Sequence, residues 1–157
     1  MQKREDAEFE LVDIKDFNLP LLDEPVPPSQ GQYTKEHTRA WAAKIDSFDA
    51  YVFVTPDYNH STSARSRTPS ISSTRSGTTR RRDSSAMAAR WARAVEHLRL
   101  VMGELIVADV RSQVGISLYT DFENFSVFKP AALQEQAVNN MLDQVIAWGG
   151  ALRVLRQ

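Results

Sequence analysis

One stretch limits what this chain can fold into more than any other. Between positions 61 and 90, 21 of 30 residues are Ser, Thr or Arg, and the apolar content is four Ala, one Ile and one Met. Seven Arg against a single acid, Asp83, give that window a charge of +6, which leaves −7 on the rest of a 157-residue chain whose net charge is −1. A segment with so little to bury cannot offset its own ordering entropy. The core must come from the flanks, and their combined length suits one ordinary domain.

Those flanks alternate strand and helix patterns. Residues 9–14 alternate apolar and acidic side chains, the period of a short strand. Pro20, Pro25, Pro27 and Pro28 then impose an extended connector. Thr34 is the expected N-cap of a helix with Trp41, Ile45 and Phe48 on one face, ending near residues 47–49. Residues 50–54, Ala-Tyr-Val-Phe-Val, form a continuous apolar run suited to a parallel strand buried on both faces. The run breaks into Thr55, Pro56, Asp57, Tyr58, Asn59 and His60. This is the carboxyl end of a buried strand, where open α/β sheets hold ligands.

Beyond the window, residues 93–105 read as a helix with Val95, Leu98, Met102 and Leu105 in one stripe, and residues 107–119 hold strand material. Pro130 opens a last helix whose face carries Leu133, Ala137, Met141, Val145, Trp148 and Leu152, loosened at Gly149-Gly150. The alternation predicts an α/β fold with a mostly parallel sheet.

Other classes fall away quickly. Without Cys there is no disulfide scaffold, zinc ribbon or thiol nucleophile, and the composition suits a cytoplasmic location. No apolar run approaches the roughly 18–20 residues that cross a bilayer, so no membrane association is expected. His37 and His97 fall on separate helices, which argues against a metal site. Asp121 and Glu123 read as a solvated loop, and Trp41 and Trp148 as core or subunit-interface residues. No nucleophile or acid–base pair stands out, so no catalytic side chain is assigned.

The string Ala-Tyr-Val-Phe-Val-Thr-Pro-Asp-Tyr-Asn-His-Ser at 50–61 resembles the third strand and flavin loop of the NAD(P)H-dependent FMN reductase family. The resemblance covers residues 9–49 as well, and resumes at Ala92-Arg93-Ala94-Val95-Glu96-His97-Leu98-Arg99, Asp121-Phe122-Glu123 and Trp148-Gly149-Gly150-Ala151-Leu152. It implies a flavodoxin-like three-layer α/β/α fold with bound FMN, NADPH or NADH as donor, and a flavin, quinone, azo or metal-type acceptor. In such enzymes the cofactor carries the reaction and the protein orients it. By resemblance, Thr55, Pro56, Asp57, Tyr58, Asn59 and His60 are the cofactor-binding residues, and association into a homo-oligomer is compatible with the family. The family has Glu where this chain has Asp57.

Two departures stand out. The family's first strand and phosphate loop have no counterpart here, so the chain reads as N-terminally truncated. The window also lacks the family's next helix, fourth strand and Ser-Tyr-Gly-Gly flavin loop. With permitted codons, however, residues 64–72 can be read from the third base of each codon as Ala-Leu-Lys-Asn-Ala-Ile-Asp-Phe. The same offset continues through residues 73–82 as Leu-Tyr-Ala-Glu-Trp-Asn-Asp-Lys-Ala-Ala, and from 83 to 89 as Gly-Phe-Val-Ser-Tyr-Gly-Gly. These are the missing elements in order, so the window is read as frame-shifted, with compensating insertions or deletions near 62–64 and 90–92.

The expectation is a single flavodoxin-like domain over 1–157 that lacks its first strand, with its fourth replaced by a disordered, insert-like segment at 61–91. No two retained strands would then be neighbours, which predicts poor folding or aggregation through edges exposed at 50–54 and 110–118. The alternative is a non-enzymatic chain whose basic segment binds nucleic acid or is phosphorylated. The window has no aromatic residue to stack a base, which weighs against the nucleic-acid version.

Overall fold

The apolar run after residue 49 becomes the first of three parallel strands. The computed structural model describes residues 4–57, 60–62, 84–89 and 92–156. In it β1 (Ala50–Thr55) pairs with β2 (Ser84–Ala89), and β2 pairs with β3 (Ala108–Val114), in the order β1-β2-β3. Helix α1 (Glu36–Asp46) precedes β1, α2 (Ala92–Glu104) joins β2 to β3, and α3 (Ala132–Leu152) follows β3. A short antiparallel hairpin, β4 (Phe122–Glu123) and β5 (Val127–Phe128), lies between β3 and α3.

Alternation along β1 divides the core into two layers. Ala50 and Val52 pack against a cluster of Val110, Val114, Met141, Leu142 and Val145, which joins β3 to α3. Phe53, of opposite parity, packs against Val95, Leu98 and Met102 of α2. The sheet is therefore covered on both faces, giving an α/β/α arrangement with an incomplete parallel sheet of flavodoxin-like type. On α1, Trp41 is buried and meets Phe17 edge-to-face at 5.0 Å.

Ser84–Ala89, expected to lack regular structure, is instead the central strand. The physical reason is context. Two parallel strands with a one-strand gap between them present unpaired backbone groups on both sides. Residues 84–89 are the window's longest run free of charge, Pro and Gly. Strand propensity is weak enough for such a slot to override it. The retained strands β1 and β3 are thus not neighbours, as expected, but each pairs with β2, which was not expected.

Residues 9–14 also depart from expectation. No strand forms there; Ile14–Phe17 is a 3-10 turn, and the Asp13 side chain accepts a hydrogen bond from the Lys15 amide at 2.9 Å. A local cap has displaced strand extension. Phe9 still reaches the α3 cluster, while Leu11 is 93% exposed.

The outer edge of β3 is not bare. Between the pairs Ser85↔Asp109 and Met87↔Gln113 the register slips, and β3 bulges over residues 110–112. Arg99, from α2, pairs with the Asp109 carboxylate and donates to the Val110 carbonyl at 2.9 Å and the Arg111 carbonyl at 3.1 Å. Gln144, from α3, donates to Ser112 Oγ at 2.6 Å and accepts from the Ser112 amide at 3.4 Å. Side chains from both helical layers thus take up backbone groups of the bulge at residues 110–112, while β3 remains an outer strand among the described residues.

Candidate functional site

The expected cofactor loop begins where β1 ends, and its first residues are held by α2. Thr55 is buried, and its hydroxyl donates to the Pro56 carbonyl at 3.1 Å; Pro56 itself is exposed. Asp57 turns inward, and its Oδ2 accepts from the Ala94 amide at 3.4 Å. His60 is exposed with φ 62°, in the left-handed region. Next to it, Ser61 Oγ and His97 Nδ1 lie 2.9 Å apart, a second tie between loop and helix. Tyr58 and Asn59 lie outside the described residues.

Asp57 belongs to a pattern that local sequence does not reveal. The N-cap positions of α1 and α3 are Lys35 and Ala131, neither of which supplies a capping side chain. A carboxylate remote in sequence serves each helix instead. Glu24 accepts from the Thr34 amide at 2.9 Å, the Thr34 hydroxyl at 2.9 Å and the Lys35 amide at 3.1 Å. Asp121 serves α3 by accepting from the Ala131 amide at 3.1 Å, and Asp57 serves α2. Each places negative charge where the helix dipole favours it.

Asp121 is the most heavily engaged of the three. Its carboxylate is fully buried and also accepts from the Ser117 amide at 2.8 Å, Thr120 Oγ1 at 3.1 Å and Gln134 Nε2 at 3.1 Å. Backbone donors from Ser117 and Ala131 hold its carboxyl below the ordinary Asp range, outweighing the opposing effect of burial. The solvated role expected for Asp121 is therefore corrected: it organises the loop between β3 and α3. For Glu24, desolvation works against ionisation, but donors from Thr34, Thr38 and Lys35 overcome it and push the carboxyl down to about 2.

These contacts bear directly on anion binding. A helix N-terminus is a ready phosphate site only while its amides are free. The N-termini of α1, α2 and α3 each already have a carboxylate. The described residues thus present a strand-end loop anchored on α2, with a carboxylate beside each of these helix starts. A groove of about 700 Å³ lies elsewhere, along β3, where Glu96, Arg111 and the half-exposed Trp148 flank the Arg99–Asp109 pair. None of Thr55, Pro56, Asp57 and His60 lines it. Among the described residues no three His, Asp or Glu side chains gather as a metal site.

The part of the chain that carries β1 and this loop has known relatives. Residues 1–67 match the family model described as NADPH-dependent FMN reductase. One relative is an NAD(P)H-dependent FMN reductase from a Nectria species, 48% identical over 59 residues, covering 35% of this chain and 29% of the relative. Another, the NAD(P)H-dependent FMN reductase of Schizosaccharomyces pombe, is 50% identical over 62 residues, covering 38% of this chain and 31% of the relative. The matches span about a third of the length of these curated relatives. The family is one of flavin-dependent oxidoreductases, and its name implies FMN and NAD(P)H as cofactors. No helix among the described residues is long and apolar enough to cross a membrane.

Proposed function

We propose that this chain derives from an FMN-dependent NAD(P)H oxidoreductase, and that the codons for residues of about 62–91 are read out of register. One observation carries the first part: a Thr-Pro-Asp-Tyr-Asn-His loop leaves the carboxyl end of an apolar parallel strand, inside the segment that matches the family. In this reading Thr55, Pro56, Asp57, Tyr58, Asn59 and His60 lie along the flavin. Bound FMN would accept hydride from NADPH or NADH and pass electrons to a small acceptor such as a flavin or quinone. The chain's own part is positional, with Asp57 and Ser61 fixing the loop to α2.

The second part draws support from two directions. The family match ends at residue 67, within a few residues of where the offset reading begins. The strand at Ser84–Ala89 also lies where the offset reading spells Phe-Val-Ser-Tyr-Gly-Gly. In that register β1 and β2 end together, with Thr55 paired to Ala89, so the Gly-Gly turn would face the Thr55–His60 loop.

The test compares FMN retention, by flavin absorbance and NADPH oxidation, between the chain as written and one carrying the offset reading at 64–89. The restored chain should hold FMN at least tenfold more tightly. Equal retention would count against the register proposal, and no retention by either chain against the flavin reading.

A further inference from the structure

Ser61 and His97 stand 36 residues apart in sequence, and the fold brings Ser61 Oγ to 2.9 Å from His97 Nδ1. Ser61 follows the left-handed turn at His60, whose φ is 62°. His97 lies on α2, in the helical turn that begins at Ala94, the residue whose amide meets Asp57. Both contacts reach α2 from a chain segment that leaves the carboxyl end of a parallel strand, where open α/β sheets place their ligands.

The direction of this hydrogen bond carries chemistry. A serine hydroxyl donates to the lone pair of a neutral imidazole, so Nδ1 accepts from Ser61 Oγ and the ring proton sits on Nε2. His97 is exposed, so a proton taken up at Nδ1 is readily passed on to water, and Ser61 is half-buried, held against the helix yet reachable. Other serines have partners of a different kind. Ser47 donates to the Lys44 carbonyl at 2.7 Å, Ser112 accepts from the Gln144 amide at 2.6 Å, and Ser117 accepts from the Tyr119 amide at 3.2 Å. Neither a carbonyl nor an amide donor removes a hydroxyl proton. Of these four serines, Ser61 alone meets a base.

We propose that Ser61 is a nucleophile, with His97 as its general base, and that it takes the acyl group of activated carboxylic esters. Ser61 Oγ attacks the carbonyl carbon, and the bond from that carbon to the leaving-group oxygen breaks. The hydroxyl proton passes to His97 Nδ1, the leaving group departs as its anion, and nothing is oxidised or reduced. The product is an ester on Ser61. This acyl transfer is separate from the flavin chemistry proposed above and does not depend on it.

The test treats the full chain with p-nitrophenyl acetate, follows p-nitrophenolate by absorbance and locates the acetyl group by peptide mass spectrometry. Ser61 should acetylate at least about a hundredfold faster than the exposed Ser47, the lower end of what a positioned general base supplies. Ser61→Ala should abolish the fast release. His97→Ala should slow Ser61 to the rate of Ser47, and imidazole added to the buffer should restore part of the loss. His97→Gln keeps a hydrogen-bonding side chain beside the hydroxyl but cannot take its proton, so it should be as slow as His97→Ala. Circular dichroism checks that each variant keeps the parent fold.

Three results would overturn the proposal. One is a parent chain in which Ser61 acetylates no faster than Ser47. Another is a His97→Gln variant as fast as the parent, which would make the contact only a tie between loop and helix. The third is an acetyl group found on His97, with release unchanged in Ser61→Ala, which would make the imidazole itself the nucleophile.

Discussion

Replacing Arg99 probes how the sheet's outer edge is closed. Its guanidinium reaches the Asp109 carboxylate and two carbonyls of the β3 bulge, and the side chains of Arg99 and Asp109 are only 19% and 27% exposed. Arg99→Leu keeps most of the apolar stem but removes every donor. The carboxylate is then left without its partner, at a cost of about 1–3 kcal/mol. The two carbonyls lie at an edge that water can reach, so together they add about 1 kcal/mol, for a total of about 2–4 kcal/mol. For a chain of this size, that lowers Tm by roughly 5–12 °C.

Urea denaturation is the direct assay, with an unchanged slope marking a genuine stability effect. Arg99→Lys keeps the charge beside Asp109 but cannot fork onto the carbonyls, so about half the loss should remain. Arg111→Leu, at an exposed position on the same strand, should stay within about 0.5 kcal/mol of the parent. If Arg99→Leu proved as mild as Arg111→Leu, the covered-edge argument would be wrong.

Three further outcomes follow from the packing and the remote caps. Leu98→Ala, in the α2 cluster, should cost about 2–4 kcal/mol in the same urea assay, whereas Leu100→Ala, 75% exposed on the same helix, should be nearly silent. Glu24 has its folded value depressed from 4.5 to about 2, so its stabilisation is complete above about 4.5 and is lost as pH falls through about 2. Thermal melts over that interval should therefore fall more steeply for the parent than for Glu24→Gln, and parallel slopes would remove Glu24 as a cap. Asp57→Ala should speed hydrogen exchange at the Ala94 amide, and unchanged exchange would show that Asp57 does not hold the start of α2.

The elements legible in the sequence are those whose cause is local. The stripe of Val95, Leu98 and Met102 on α2 repeats at helical spacing and is buried as that spacing implies. Residues 50–54 carry enough β-branched and aromatic side chains to specify β1 without help. On α3 the middle of the expected face is buried, at Met141 and Val145, but Leu133 is 73% exposed because the helix starts beyond the cover of the sheet cluster. Gly149-Gly150 does not loosen the end, since α3 continues to Leu152 and Gly149 is buried within it.

What escaped the sequence depends on partners far along the chain. Glu24 lies ten residues before the amide it caps, Asp57 lies 37 residues before its own, and no spacing rule links either pair. Asp121 resembles any loop acid until the turn at 117–121 and the start of α3 close around it. Ser84–Ala89 has the wrong composition for a strand, and only the gap between β1 and β3 makes it one. At the candidate site, the position of Thr55, Pro56 and Asp57 at a strand end was legible, whereas the clamp on α2 and the carboxylates beside the helix starts were not.

The central claim is that an ordinary flavin-reductase scaffold underlies the Ser/Thr/Arg window, hidden by its reading frame. Sequencing the coding DNA across residues 62–91 tests it most directly. The account predicts an open frame, offset to the third base of each codon, with GAT for Asp83 and GCT for Ala86, so that an apolar strand ending in Tyr-Gly-Gly coincides with β2. A stop codon in that frame, or bases that spell another polar string there, would contradict it.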